Sequence, residues 1–131
     1  MTIAHWCLFA AALLHVLSKL PMGAAMAREG NGYDNHNPRA QQDRLTSGWA
    51  RRAKAVHENQ IESFPLFAAG VLVATTAAPR VDVVDWLALA YIGARLVYPV
   101  LYLADIAAMR SLVWSVGYFA SLALLASPAW L

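Results

Sequence analysis

One arginine in this 131-residue sequence stands inside a long apolar segment. Arg95 lies near the middle of the segment 84–107. At that depth in a bilayer, an arginine costs at least about 2.5 kcal/mol unless it faces a polar partner or water. Tyr98 and Tyr102 follow three and seven positions later, so they share its helical face. The pattern predicts a polar stripe made of one permanent cation and two phenols.

A second polar stripe precedes the apolar run 64–78. Asn59 and Glu62 are three residues apart and Arg52 lies seven residues before Asn59, so all three share one helical face. The simplest arrangement pairs Glu62 with Arg95 across a helix interface. Such a pair could be a purely structural lock. We favour a ligand site, because the additional amide and phenols exceed what one ion pair needs and ionisable residues inside membranes are functional candidates.

The side chains of these stripes indicate the ligand's chemistry. Arginines with amides and phenols favour an anion that carries carboxylates and peptide-like groups, since guanidinium binds carboxylate in a bidentate manner. Cys7 is the only cysteine, which excludes an intrachain disulfide and a thiolate cluster. The scattered histidines His5, His15 and His57 form no specific motif. We therefore expect no metal site and no haem.

The composition places these segments in a membrane. Apolar residues make up 60% of the chain and charged residues 14%, against about 45–50% and 25% in soluble domains. A chain this short buries only a modest fraction of its surface, so it could not hide that much apolar area from water. A net charge of +2 gives no argument for a nucleic-acid partner. We expect a single-domain integral membrane protein.

Four apolar segments are long enough to define the predicted fold. The predicted spans are 3–27, 52–78, 84–107 and 110–127, with a basic loop at 28–51. The short connections, including a tight one at Pro79-Arg80-Val81-Asp82, favour antiparallel neighbours. The sequence thus predicts an all-α, four-transmembrane-helix antiparallel bundle. A cleaved signal peptide is the alternative for the first span, and the lack of Lys or Arg in residues 1–6 disfavours it.

The distribution of basic residues predicts the orientation. Six Arg or Lys residues separate the first two apolar segments, four of them in the loop 28–51 and two at the start of the second span: Arg28, Arg39, Arg44, Arg51, Arg52 and Lys54. By the positive-inside rule this loop is cytoplasmic. Both termini are then expected on the periplasmic side of a bacterial inner membrane, in a multi-pass protein.

Several motifs resemble those of the MAPEG family, the membrane-associated proteins in eicosanoid and glutathione metabolism. Residues 52–65, in which Asn-x-x-Glu is closely followed by Pro, resemble the family's second-helix signature. The segment 94–98 with Tyr102 is similar to its third-helix pattern of Arg and Tyr. The stretches 33–35 and 37–39 resemble a loop of bacterial members. The order of these motifs, over nearly the whole chain, is more specific than any one of them.

The resemblance implies an assembly, a cosubstrate and roles for residues. It implies a homotrimer in which glutathione lies between neighbouring subunits, with its thiol near the fourth helix. The residues implied to bind the tripeptide are Arg52, Asn59, Glu62, Arg95, Tyr98 and Tyr102. Arg110 resembles the arginine that stabilises the thiolate, which is the nucleophilic form of a thiol. The implied activity is a glutathione transferase or peroxidase that acts on a lipophilic electrophile arriving through the bilayer.

Two departures from the family pattern leave other functions open. Ala55 occupies the position, four residues before the Asn, where active members usually carry Arg. Trp114 stands where eicosanoid-forming members often have Tyr. The alternative is therefore a non-enzymatic protein of the same fold that binds a lipid or a partner protein. A third possibility is an accessory subunit of a larger membrane complex.

Overall fold

The computed structural model describes residues 1–78 and 82–131, and every regular element within those ranges is helical. The helices are α1 Ile3–Leu17, α2 Lys19–Glu29, α3 Pro38–Asp43, α4 Gly48–Ala77, α5 Asp82–Leu103 and α6 Ala107–Leu125, followed by a 3-10 turn at Ser127–Ala129. The all-α prediction is confirmed. The connection predicted at Pro79-Arg80-Val81 lies outside the described residues.

Four helical stretches in the described ranges are long and apolar enough to cross a membrane. They are α1 and α2 taken together, α4, α5 and α6. Their outward faces carry large apolar side chains, including Trp86, Val100 and Phe119, each more than 60% exposed. Such a surface suits hydrocarbon rather than water. The arrangement is the predicted four-helix membrane bundle.

The first span is broken at Ser18, which the sequence did not lead us to expect. Pro21 has no N–H group to donate to the carbonyl of Leu17, so the helical ladder is interrupted there. The hydroxyl of Ser18 donates instead to the carbonyl of His15 at 2.8 Å and contacts Nδ1 of His57 at 2.9 Å. The break therefore contacts α4 directly.

The segment between the first two spans is more ordered than the predicted loop. It contains α3 and is fastened to both neighbouring helices. The carboxylate of Glu29, the last residue of α2, accepts hydrogen bonds from the backbone N–H groups of Thr46 and Ser47. Ser47 then caps α4 by accepting from the N–H of Ala50 at 3.1 Å. The end of α2 thus fixes the start of α4.

The core of the bundle lies between α1, α4, α5 and α6. At its centre the rings of Phe67 and Tyr91 stack with centroids 3.7 Å apart. Gly70 allows α6 to approach α4, because a Cβ atom there would lie 2.9 Å from the carbonyl oxygen of Ser121. This close packing sets the separation of the helices that carry the polar stripes.

Candidate functional site

The side chain of Arg95 is buried between α4 and α5, with only 2% of its surface exposed. Its Nε donates to Oε1 of Gln60 at 2.8 Å, and its Nη1 donates to Oδ1 of Asn59 at 2.9 Å. The guanidinium also lies 4.5 Å from the ring centroid of Tyr98. Two neighbouring amides of α4 therefore hold the intramembrane cation.

The predicted ion pair between Glu62 and Arg95 does not form within the chain, and that expectation was wrong. The ion pairs found among the described residues join Arg52 to Asp105 and Lys54 to Asp43 and Glu58, and none of them includes Arg95. Glu62 lies about 4.5 Å further along the α4 axis than Asn59. The guanidinium instead hydrogen-bonds to the side-chain amides of Asn59 and Gln60, and the side chain of Glu62 remains exposed.

The hydrogen bonding of Arg95 is incomplete in the described part of the chain. Its Nη2 has no hydrogen-bond partner although it is buried, and the same is true of Nε2 of Gln60. Burying an unmet donor costs about 1–3 kcal/mol, and more when the group is charged. Arg95 is thus a buried cation with two neutral acceptors and one unused donor group.

Two cavities lie between α4, α5 and α6, and we call them together the cleft. The smaller, of about 150 Å³, is lined by Asn59, Glu62, Ser63, Leu66, Arg95, Trp114, Tyr118 and Ser121. The larger, of about 430 Å³, is lined by Asn59, Tyr98, Tyr102, Arg110, Ser111, Trp114 and Ser115. They share Asn59 and Trp114, so the cleft runs from the buried guanidinium to the start of α6.

Aromatic rings hold the second cation of the cleft. The rings of Tyr98 and Tyr102 meet edge to face with centroids 5.6 Å apart. The guanidinium carbon of Arg110 lies 4.5 Å from the Tyr102 centroid. The cleft thus presents cations at both ends, phenols along one wall, and the carboxylate of Glu62.

Arg52 is the predicted site residue that the structure does not bring to the cleft. It does not line either cavity, and its Nη1 lies 3.9 Å from Oδ2 of Asp105. Asp105 follows α5 with a positive φ of 61°, a conformation that few residues other than glycine adopt. The turn between α5 and α6 therefore engages Arg52. The other predicted site residues, Asn59, Glu62, Arg95, Tyr98, Tyr102 and Arg110, all line the cleft.

Sequence reasoning missed Gln60 and the second aromatic wall. Gln60 is adjacent to Asn59 and therefore about 100° away around α4, so grouping residues by shared face left it out. On α6, the rings of Trp114 and Tyr118 stack with centroids 5.0 Å apart and line the smaller cavity. Their i, i+4 spacing was the available signal.

One known protein family matches the chain over nearly its whole length. The family model described as "MAPEG family" matches residues 3–130. The chain belongs to the MAPEG family. No curated protein and no solved structure matched the chain.

Membership of the MAPEG family makes this an integral, multi-pass membrane protein of a glutathione-associated family. The predicted resemblance is confirmed at the level of the family. The Arg and Tyr residues of the MAPEG-like third-helix pattern are those that line the cleft on α5. Ala55, the departure from the MAPEG second-helix pattern, lies on α4 and is not among the lining residues.

Proposed function

We propose that this MAPEG protein binds glutathione in the cleft and uses its thiol on a lipophilic electrophile, as a membrane transferase or peroxidase. The observation that carries the proposal is the state of Arg95. A buried guanidinium with only neutral acceptors and an unused Nη2 favours a ligand that brings negative charge. Carboxylates are the anions that a guanidinium binds best in bidentate geometry.

The chemical groups of glutathione fit the donors and acceptors of the cleft. Glutathione carries carboxylates, one ammonium group, amides and a thiol. Arg95 offers a cation to a carboxylate, and Glu62, which has no ion-pair partner among the described residues, offers an anion to the ammonium group. Asn59 and the phenols can hydrogen-bond the amides. The larger cavity alone lies within the range of about 300–1,000 Å³ typical of small-molecule sites.

Arg110 is the residue that we assign to the thiol. A neighbouring guanidinium lowers the pKa of a thiol and so raises the fraction of the nucleophilic thiolate. In a transferase acting on a conjugated enal, the thiolate sulfur bonds to the β-carbon, the C=C π bond breaks to give an enolate, and the proton lost by the thiol is returned to the α-carbon. In a peroxidase, a hydroperoxide is reduced to an alcohol and water while two glutathione molecules are oxidised to the disulfide. The stacking of Trp114 and Tyr118 supplies an apolar wall for the lipophilic substrate.

We further propose that the functional unit is a homotrimer, with glutathione between neighbouring subunits. Support comes from Glu62, whose exposed side chain precedes an apolar run. A carboxylate facing hydrocarbon is unfavourable, whereas a neighbouring subunit or a bound ammonium group would cover it. The cleft is lined by α4, α5 and α6, which are three of the helices able to span a membrane, so we propose that a lipophilic substrate enters from the bilayer.

For the topology, we propose that the basic segment faces the cytoplasm and both termini face the periplasm of a bacterial inner membrane. Arg28, Arg39, Arg44 and Arg51 are exposed on the side where α2 ends and α4 begins. The positive-inside rule places a segment that is this rich in basic residues on the cytoplasmic side of the membrane.

The experiment uses the purified protein in lipid nanodiscs. Glutathione binding is measured by calorimetry, and conjugation is measured with a long-chain conjugated enal. We expect saturable binding in the wild type and catalysed conjugation. Arg110→Ala should retain binding but lose conjugation by about 100-fold, a typical effect of removing one group that stabilises an anion at the reacting atom. Absence of binding at millimolar glutathione would contradict the proposal.

The second candidate function is binding without catalysis, as a lipid- or partner-binding member of the fold. Two observations favour it: Ala55 replaces the arginine usual in active members, and Arg52 contacts Asp105 instead of the cleft. Both reduce the positive charge available to a tripeptide. Glutathione bound without any rate of conjugation or peroxide reduction above the uncatalysed reaction would select this candidate.

A further inference from the structure

We infer that Gln60 is a positioning residue that holds Arg95 while leaving its positive charge available to a ligand anion. This inference rests on the proposed function, in which the cleft binds an anion. It concerns a residue that does not line the cleft and that no sequence motif had singled out.

Gln60 contacts one edge of the Arg95 guanidinium. Its side chain is 1% exposed, and its Oε1 accepts from Nε of Arg95 at 2.8 Å. Asn59 accepts from Nη1 on the cleft side. Two consecutive residues of one helix project about 100° apart, so the guanidinium is held from two directions. The remaining nitrogen, Nη2, is left for another partner.

A carboxylate at position 60 would make a stronger bond to Arg95 than the amide does. The same oxygen position would accept a charge-assisted hydrogen bond, and a carboxylate oxygen able to accept from the unused Nη2–H of Arg95 would replace the buried Nε2–H group that now lacks a partner. Glutamate would thus satisfy the site better as a structural element. The amide leaves the site less stable but keeps the cation uncompensated, which is the compromise expected where function opposes stability.

The charge of the pair decides what the cleft can bind. With an amide at position 60, an approaching carboxylate meets a full positive charge in surroundings of low polarity, where attraction is strong. With a glutamate at position 60, it would meet an ion pair whose net charge is zero. The identity of residue 60 therefore sets the affinity for anions without contact between that residue and the ligand.

The test compares Gln60→Glu with the wild type and with Gln42→Glu, the same substitution in α3 away from the cleft. All three proteins are studied in nanodiscs. We measure the Tm without ligand, and the Kd for glutathione and, in parallel, for succinate, which carries two carboxylates and no thiol. Gln60→Glu should raise the Tm by about 2 °C or more and raise the Kd for glutathione at least about tenfold. Gln42→Glu should leave the Kd unchanged.

Each outcome decides the inference. A structural role alone predicts that Gln60→Glu binds glutathione as tightly as the wild type, and that result would overturn the inference. If the wild type binds succinate but not glutathione, the proposed function fails, and weaker succinate binding in Gln60→Glu still supports the role of Gln60. If the wild type binds neither anion, or if the Tm of Gln60→Glu is not raised, the inference is overturned.

Discussion

The guanidinium carbon of Arg110 lies 4.5 Å from the centroid of the Tyr102 ring. Arg110 belongs to the first turn of α6 and Tyr102 to the last turn of α5. A cation over an aromatic face gains about 0.5–1 kcal/mol at exposed sites. The ring therefore restrains the arginine across the turn between the two helices, at the end of the cleft opposite to Arg95.

This restraint predicts different effects for two substitutions at position 102. Tyr102→Phe keeps the ring and should retain kcat for conjugation within about twofold, because the cation remains positioned. Tyr102→Leu removes the ring and should lower kcat about two- to fivefold, as expected for the loss of about 0.5–1 kcal/mol. Steady-state kinetics at saturating glutathione measure both values. Equal kcat values for the two variants would mean that the ring does not position Arg110.

The contact between α4 and α6 at Gly70 predicts a steric effect on stability. A Cβ atom at Gly70 would lie 2.9 Å from the Ser121 carbonyl oxygen and 3.0 Å from Cβ of Leu124. Gly70→Ala should therefore destabilise the bundle by about 1–3 kcal/mol, the usual range for overpacking. Gly93→Ala is the matched control, because no atom lies within 4 Å of its added Cβ. Thermal denaturation in detergent measures the Tm, which should be lower than that of the wild type in Gly70→Ala and unchanged in Gly93→Ala.

The ordered segment between α2 and α4 depends on Gln41. Its Nε2 donates to the carbonyls of Met26 and Gly32, and its Oε1 accepts from the N–H of Asp34. Gln41→Ala removes all three hydrogen bonds, each of which contributes about 0.5–1.5 kcal/mol, although the Met26 carbonyl still accepts from the N–H of Gly30 at 3.0 Å. We expect the segment to become mobile while the membrane helices persist.

Limited trypsin digestion checks this prediction, since Arg39 and Arg44 lie in the same segment. Cleavage there should be faster in Gln41→Ala than in the wild type. Gln42→Ala serves as the control: Gln42 is equally buried, at 7% exposed, and its side chain makes no hydrogen bond within the described ranges. Faster cleavage in the control to the same extent would show that burial at this position, not hydrogen bonding, orders the segment.

The fold could be predicted from the sequence because each membrane helix leaves a long apolar run. Those signals fixed the number of spans and the helical class. Pro21 was the available signal for the break at Ser18. The contact of Ser18 with His57 joins residues distant in sequence, as do the hydrogen bonds that order the segment containing α3. Contacts between residues that are distant in the chain produce no periodic pattern in the sequence.

Spacing in the sequence indicated most of the residues that line the cleft, but it did not indicate which of them contact one another. Spacing grouped Asn59 with Glu62 and Tyr98 with Tyr102, and these residues line the cleft, because helical geometry determines which residues share a face. The offset of α4 relative to α5 along the helix axes determines the partner of Arg95. Its guanidinium therefore reaches Asn59 and Gln60 instead of Glu62. The spacing of residues within one helix carries no information about the axial offset between two helices. For the same reason, the contact of Arg52 with Asp105 could not be foreseen.

The measurement that tests this account most directly is a calorimetric titration of glutathione into the wild type and Arg95→Met in nanodiscs. Methionine keeps much of the volume of arginine and removes the buried charge, so the helices should still fold. If the Arg95 guanidinium anchors a ligand carboxylate, the Kd should rise at least about 30-fold, the lower end for removal of one buried charged partner. A Kd within about twofold of the wild type, in a variant with unchanged helical content, would contradict the account.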